Sequence, residues 1–185
     1  LQEQPFQQLL EVGPGGGALT KYLLQIPAVN FKAVEVDQDK VDYLVQEYPS
    51  LKPQLIHQDF LQIPAPFEGL FTVVGNFPYN ISSPILFHLL EWRHQLQSVV
   101  GMFQKEVAQR VAAPHGSKTY GVLSVLIQAF FEVNYLFDVG EGCFTPPPKV
   151  KSGVIRLVPR SSPLSMKSEK SFKLLVKTAF NQRRK

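Results

Sequence analysis

Asn76, Phe77, Pro78 and Tyr79 follow directly on the apolar run FTVVG, and together they carry the groups needed to make an aromatic amine react. The lone pair of such an amine is delocalised into its ring, so its nitrogen is a poor nucleophile. A side-chain amide oxygen from Asn76 and a neighbouring main-chain carbonyl can accept both amine hydrogens. Held in that way, the nitrogen moves toward tetrahedral geometry and its lone pair is freed for attack. Pro78 has no N–H, and its restricted φ helps aim its carbonyl in one direction. Tyr79 can stack on the face of the base, a contact worth about 1–3 kcal/mol where aromatic side chains meet nucleobases. With a sulfonium methyl group as electrophile, neither a metal nor a strong general base is needed. Asn-x-Pro-Tyr met at random is more often a turn with its tyrosine in the core. Its place after a strand, downstream of a glycine turn and an acidic strand end, favours the chemical reading.

Those upstream features could hold the second reactant. LLEVGPGGGALT sets Gly13, Gly15, Gly16 and Gly17 between a strand and a helix, with Glu11 just ahead of them. Glycines there permit a tight turn and close approach of the backbone to a ligand. Glu35 ends the next strand in AVEVD, at the spacing where an acidic side chain grips a ribose diol. Asp59, in HQDF, ends the third strand, where an adenine amino group could be read. Each feature has a plainer alternative: an ordinary strand-to-helix turn, a solvated strand end and a helix N-cap. Dinucleotide binding is a further competitor for the glycines, although G-x-G-x-G matches the G-x-G-x-x-G pattern poorly.

The elements that must position these residues alternate between strand and helix. PFQQLLEVG, NFKAVEVD, QLIHQDF and GLFTVVGN read as strands, and their near-continuous apolar character suits parallel strands covered on both faces. Helices are expected from about Ala18 to Gln25, over DKVDYLVQEYP until Pro49, and around Pro84 to Trp92. Then come the strand SVVGMF, a helix across KEVAQRVAA and the loop GSKTYG. VLSVLIQAFFEVNYLFDV starts as helix and finishes as strand, FTPPPK is extended, SGVIRLVP is a strand, and SEKSFKLLVKTAF is a helix with Ser168 as its N-cap. The expected fold is α/β, with a mostly parallel sheet and helices on both faces. In such sheets ligands sit beyond the carboxyl ends of the strands, and all the motifs above fall there.

The bulk properties exclude several classes. Of the 185 residues 44% are hydrophobic, which supports a packed core and argues against disorder. A formal charge of +4 permits a polyanionic partner. Lys105, Arg110, Lys149, Lys151, Arg183, Arg184 and Lys185 are the candidate phosphate contacts, although for any one of them a solvated surface is the plainer reading. The single cysteine, Cys143, excludes an internal disulfide and a Cys-cluster metal site, and is expected to be small buried packing. His57, His88, His94 and His115 show no metal-ligand spacing and are expected to be structural or on the surface. No apolar run reaches membrane-spanning length and no signal pattern opens the chain, so a cytoplasmic protein is expected. The chain also reads as cut at both ends.

EVGPGGGALT, VEVD, QDF, GNFPYNIS, QKEVAQR, FTPPPKVKSGVIRLVPR and AFNQRRK together resemble the bacterial small-subunit ribosomal RNA adenine dimethyltransferases, the KsgA family. The similarity runs from near Leu10 to Lys185. It implies a class I methyltransferase, Rossmann-like sheet over residues 1–160, with 161–185 as a linker and helix leading to a small helical domain absent here. It also implies transfer of methyl groups from S-adenosylmethionine, leaving S-adenosylhomocysteine. The acceptors are two adjacent adenines near the 3′ end of 16S rRNA in the immature small subunit, each dimethylated by a monomeric enzyme without metal. By position, Glu11, Gly13, Gly15, Gly17, Glu35, Asp59 and Asn76 form the cofactor set. Glu35 holds the ribose, Asp59 the adenine, and the turn to Gly17 approaches the methionine part. Asn76 with the Pro78 carbonyl takes the target amine, and Tyr79 and Phe144 face the two sides of its base.

Two departures accompany the resemblance. Phe77 replaces an apolar residue, commonly leucine, and is tolerated if it faces the core. The family's N-terminal segment with a Gln-Asn-Phe-Leu-type motif is absent. The alternatives are a 23S rRNA adenine methyltransferase of the antibiotic-resistance type, a DNA adenine methyltransferase, and a non-catalytic rRNA-binding assembly factor.

Overall fold

The computed structural model describes residues 7–144, 150–162 and 166–182. They form two compact units, 1–102 and 103–185. In the first, β1 (Gln8–Val12) leads through the glycine turn to α1 (Thr20–Leu23), then β2 (Asn30–Glu35), α2 (Gln38–Glu47), β3 (Leu55–His57), β4 (Phe71–Asn76) and α3 (Ser82–Glu91). β5 (Leu96–Gln104) runs across the boundary. The second unit holds α4 (Lys105–Ala112), α5 (Val122–Gln128), β6 (Phe131–Val139), β7 (Ser152–Pro159) and α6 (Glu169–Asn181).

The strands follow the order β3-β2-β1-β4-β5-β7-β6. Neighbours from β3 to β5 pair in parallel, whereas β6 and β7 are antiparallel. Moving outward from β1, the chain first adds β2 and β3 on one side and then crosses to place β4 on the other. The gap between β1 and β4 is therefore the switch point where α/β sheets bind ligands. Leu9, Leu10, Ala33 and Val73 have no exposed surface, which is why these strands read as continuous apolar runs.

Local chemistry explains most boundaries. The Asp37 carboxylate accepts from the amides of Asp39 and Lys40 and so starts α2, and the Ser168 hydroxyl accepts from Ser171 N to start α6. α1 is shorter than its expected span of Ala18 to Gln25. No side chain caps its start, and its last turn tightens into i→i+3 bonds, Gln25 N to Tyr22 O and Ile26 N to Leu23 O. Pro27 follows, and the residue before a proline disfavours helical geometry. The segment from Val122 breaks at Gln128, with β6 starting at Phe131. Of FTPPPK only Phe144 is described, and it is extended; residues 145–149 lie outside the described residues.

β1 and β4 approach so closely that only glycine fits at one point. A Cβ on Gly75 would lie 2.8 Å from the Val12 carbonyl oxygen and 3.1 Å from the Phe77 ring. The obstacle on one side is backbone and on the other a ring with 1% exposure, so neither yields cheaply. Gly75→Ala is expected to lower stability by about 1–3 kcal/mol, the range for forcing atoms into a packed core. Urea denaturation checks this: the midpoint falls with little change in slope, and an unchanged midpoint would show slack between the two strands.

Candidate active site

Glu11, Gly13, Glu35, Asp59 and Asn76 all sit at or just beyond the carboxyl ends of parallel strands in the first unit. Gly13 N donates to Val34 O at 3.0 Å, which carries the edge of β1 over to β2. From there the glycine turn doubles back. Gly17 has φ +77°, and a Cβ on it would stand 2.7 Å from Tyr48 Cε2. Tyr48 thus packs its ring against the turn, a support that glycine spacing alone did not reveal.

The Glu35 carboxylate, 8% exposed, organises this region. Its Oε1 accepts from Val36 N at 2.9 Å and Asp37 N at 3.1 Å, and its Oε2 accepts from Gly15 N at 3.1 Å. A carboxylate has about four acceptor positions, so three are filled by backbone and one, on Oε2, is open to a ligand hydroxyl. Val36, beside it, leaves its apolar side chain 63% exposed at the strand end.

Glu11 is far more enclosed, at 1% exposure, and its Oε2 accepts from Thr20 Oγ1 at 2.7 Å. Burial pushes its carboxyl up to about 7, against the lowering effect of the Thr20 bond and with a smaller push from nearby Glu35. Asp59 is exposed and caps a short 3₁₀ turn, Phe60–Gln62, its Oδ1 accepting from Leu61 N at 2.9 Å. The N-cap reading of Asp59 is therefore realised, and its second oxygen accepts no bond within this turn.

Asn76 closes β4 with an exposed side chain, paired across the sheet with Met102. Phe77 turns inward and donates its N–H to Met102 O at 3.1 Å, as expected for a residue that replaces leucine toward the core. Pro78 takes φ −58° and ψ 130°, and a 3₁₀ turn, Tyr79–Ile81, leads into α3. The Pro78 carbonyl receives only long contacts, from Ile81 N at 3.4 Å and Ser82 Oγ at 3.5 Å. Ser82 Oγ makes its better bond to Tyr79 O at 3.0 Å. The Pro78 oxygen thus keeps accepting capacity while the next carbonyl is tied down. Tyr79 is half-buried. A Cβ built on Gly13 would lie 3.9 Å from Asn76 O, so the glycine turn passes beside the end of β4.

The remaining candidates belong elsewhere. Phe144 is half-buried at the end of a 3₁₀ turn, Glu141–Cys143, in the second unit. Cys143 is exposed, which corrects its expected burial: the turn carrying it has no buried residues. Lys105 is tied through its ammonium to the Asp138 carboxylate, and together with a bond from Tyr135 it holds Asp138 below the usual carboxylate range. Its charge is thus already partnered within the unit. Arg110 and Lys151 are exposed. Lys149, Arg183, Arg184 and Lys185 lie outside the described residues. Among the described residues no group of three or more His, Cys, Asp or Glu could hold a metal ion, and no helix is long and apolar enough to cross a membrane.

The buried carboxyl makes a testable demand on stability. In the unfolded chain Glu11 ionises near its ordinary 4.5, whereas in the fold it does so near 7. Between those values the native state holds a proton that the unfolded chain has lost, so stability falls as pH rises through that window. The full loss, complete above pH 7, is roughly 3 kcal/mol. Glu11→Gln keeps an acceptor for Thr20 and removes the titration. Its stability in urea is expected to exceed that of the wild type at pH 8 by much more than at pH 5, and parallel pH profiles would show that Glu11 does not carry the effect.

A family model for ribosomal RNA adenine dimethylase matches residues 1–185. The ribosomal RNA small subunit methyltransferase A of Cytophaga hutchinsonii is 50% identical over 182 residues, covering 97% of this chain and 70% of its own length. Among solved structures, a dimethyladenosine transferase from Plasmodium falciparum superposes with TM-score 0.82 at 30% identity, covering 96% of this chain and 64% of that one. The 23S rRNA methyltransferase ErmE superposes with TM-score 0.80 at 27% identity, covering 97% and 72%. On the family match and the sequence identity, this chain belongs to the ribosomal RNA adenine dimethylases, with their Rossmann-like methyltransferase fold.

Proposed function

We propose that this chain transfers methyl groups from S-adenosylmethionine to the exocyclic amines of two adjacent adenines near the 3′ end of 16S rRNA, dimethylating each. Family membership supports the reaction class, the rRNA substrate and the use of S-adenosylmethionine. The observation that carries the site assignment is the pairing of β1 with β4, which sets the glycine turn beside the Asn76 turn. Cofactor and target base would meet there, one at each strand end.

The residues present suit that cofactor. Glu35 offers its open acceptor position to a ribose hydroxyl, Asp59 its second oxygen to the adenine amine, and Val36 an apolar surface beside them. Glu35 places a carboxylate near a ligand that carries cationic groups, and Glu11, its carboxyl raised to about 7, lies under the glycine turn on the same side. When bound, S-adenosylmethionine supplies an electrophilic methyl group on a sulfonium. This chain's own groups then orient the acceptor: the Asn76 amide oxygen and the Pro78 carbonyl accept the two hydrogens of the adenine amine, and Tyr79 covers the base face. The acceptor nitrogen held there would gain the methyl group and give up one of its hydrogens as a proton. Phe144 is assigned to the other face of the base from the resemblance, and Arg110, Lys149, Lys151, Arg183 and Arg184 to RNA phosphates, with Lys105 a weaker candidate because of its Asp138 partner. Residues 1–160 are read as the catalytic domain, and the substrate as rRNA in an immature small subunit met by a monomer. The adenine must leave its stack to reach Asn76.

Asn76→Ala is expected to abolish methylation of immature small subunits while leaving rRNA affinity within about twofold, since phosphate contacts supply most of that affinity. Mass mapping of the methylated adenines reads the outcome. Wild-type activity in the variant would remove the chemical role of Asn76, and methylation of 23S rRNA instead would favour the resistance-type alternative. Glu35→Ala is expected to weaken S-adenosylhomocysteine binding in calorimetry about tenfold or more, from loss of a charged hydrogen bond worth about 1.5–3 kcal/mol. Unchanged affinity would remove the ribose role.

A further inference from the structure

Asp59 stands at the head of a long connection from β3 to β4 that contains no strand, and its 3₁₀ turn is fastened from one side by α3. The fastening residue is His88, with its side chain 13% exposed. Its Nε2 lies 3.2 Å from the Ile63 carbonyl. A carbonyl only accepts, so Nε2 carries the proton and donates. The same imidazole stands edge-on to Phe60, with ring centroids 5.0 Å apart and planes at 85°. Trp92, one turn further along, meets His88 at 4.5 Å and Phe60 at 5.2 Å. Phe60 directly follows Asp59, and Ile63 closes the 3₁₀ turn that Asp59 caps. One side chain therefore grips both ends of the turn that presents the Asp59 carboxylate.

The helix supplying that grip begins at the other half of the site. Ser82, the first residue of α3, bonds the Tyr79 carbonyl, and His88 follows about 9 Å along the same axis. A leucine would fill this half-buried position among aromatic rings, but it could not bond the Ile63 carbonyl. An imidazole there is explained by its donor.

We propose that His88 is a positioning residue: by holding Phe60 and the Ile63 carbonyl against α3, it places Asp59 for the adenine end of the cofactor. The proposal rests on the reading that Asp59 receives that adenine. Because α3 also carries the Asn76–Tyr79 turn at its start, the same helix sets the positions of both base-recognising loops.

A double-mutant cycle in the intact chain tests it, with S-adenosylhomocysteine affinity read by calorimetry. His88→Leu is expected to weaken binding about fivefold to tenfold, and His88→Gln, which keeps an amide donor, to recover most of that loss. In an Asp59→Ala background His88→Leu is expected to cost no more than about twofold, because the contact it positions is already gone; such coupling is expected only between residues acting through one another. Equal losses in both backgrounds, or no loss in either where Asp59→Ala alone does weaken binding, would overturn the positioning role. If Asp59→Ala leaves affinity unchanged, the adenine assignment fails, and the positioning role with it. Thermal melts confirm that each variant is folded. Where His88→Leu does not fold, Phe60→Leu removes the ring it holds and must show the same dependence on Asp59.

Discussion

The touching of β1 and β4 at their carboxyl ends is the constraint on which the site depends. Val12 pairs with Gly75, and the backbones come close enough that a single methyl group at 75 would strike the Val12 carbonyl. One residue beyond that point the two strands diverge into different loops. β1 opens into the glycine turn, and β4 into Asn76, Phe77 and Pro78. Parallel strands joined by crossovers produce such a divergence only where the order of strands reverses, and here it lies between β1 and β4. The two strand ends thus lie side by side, and each runs into one of the two turns proposed to hold the reactants.

The two buried acids beside the glycine turn differ in their hydrogen bonding. The Glu35 carboxylate accepts from three backbone N–H groups. Glu11 accepts from the hydroxyl and the main chain of Thr20 and faces a neighbouring carboxylate, yet its burial outweighs those bonds and raises its carboxyl to about 7. A carboxylate that also fixes Gly15 and the start of the Asp37 cap cannot move far when a ligand arrives, so this part of the site is shaped before binding.

Much of this was legible in the sequence, and the reasons are local. Apolar runs such as LLEV and FTVV announce strands covered on both faces. Glycine clusters announce tight turns, and Asn-x-Pro-Tyr after a strand announces an oxygen-rich corner. Each signal is complete within about ten residues. What escaped reading depends on partners that only the topology unites. Thr20 caps the charge of Glu11 from 9 residues away, His88 reaches Ile63 over 25, and Lys105 finds Asp138 over 33. Tyr48 against Gly17 belongs to the same class. Cys143 was misjudged for a related reason: cysteine is usually buried, but a short turn with no buried residue offers it nothing to pack against.

The corner after β4 also explains how so few groups could suffice for the proposed chemistry. A carbonyl aimed at a ligand must not be consumed by the secondary structure around it, yet the helix that follows needs its first turn stabilised. Ser82 resolves the competition by bonding Tyr79 O well and Pro78 O only weakly. Phe77, anchored by its ring in the core and by its N–H on Met102, stops the corner from rotating. Asn76 is left exposed at the rim, and the Pro78 oxygen stands beside it with accepting capacity to spare. The Pro78 oxygen can only accept, so it favours a base that brings an amine hydrogen over one that presents a carbonyl there, while the Asn76 amide carries donors as well as an acceptor.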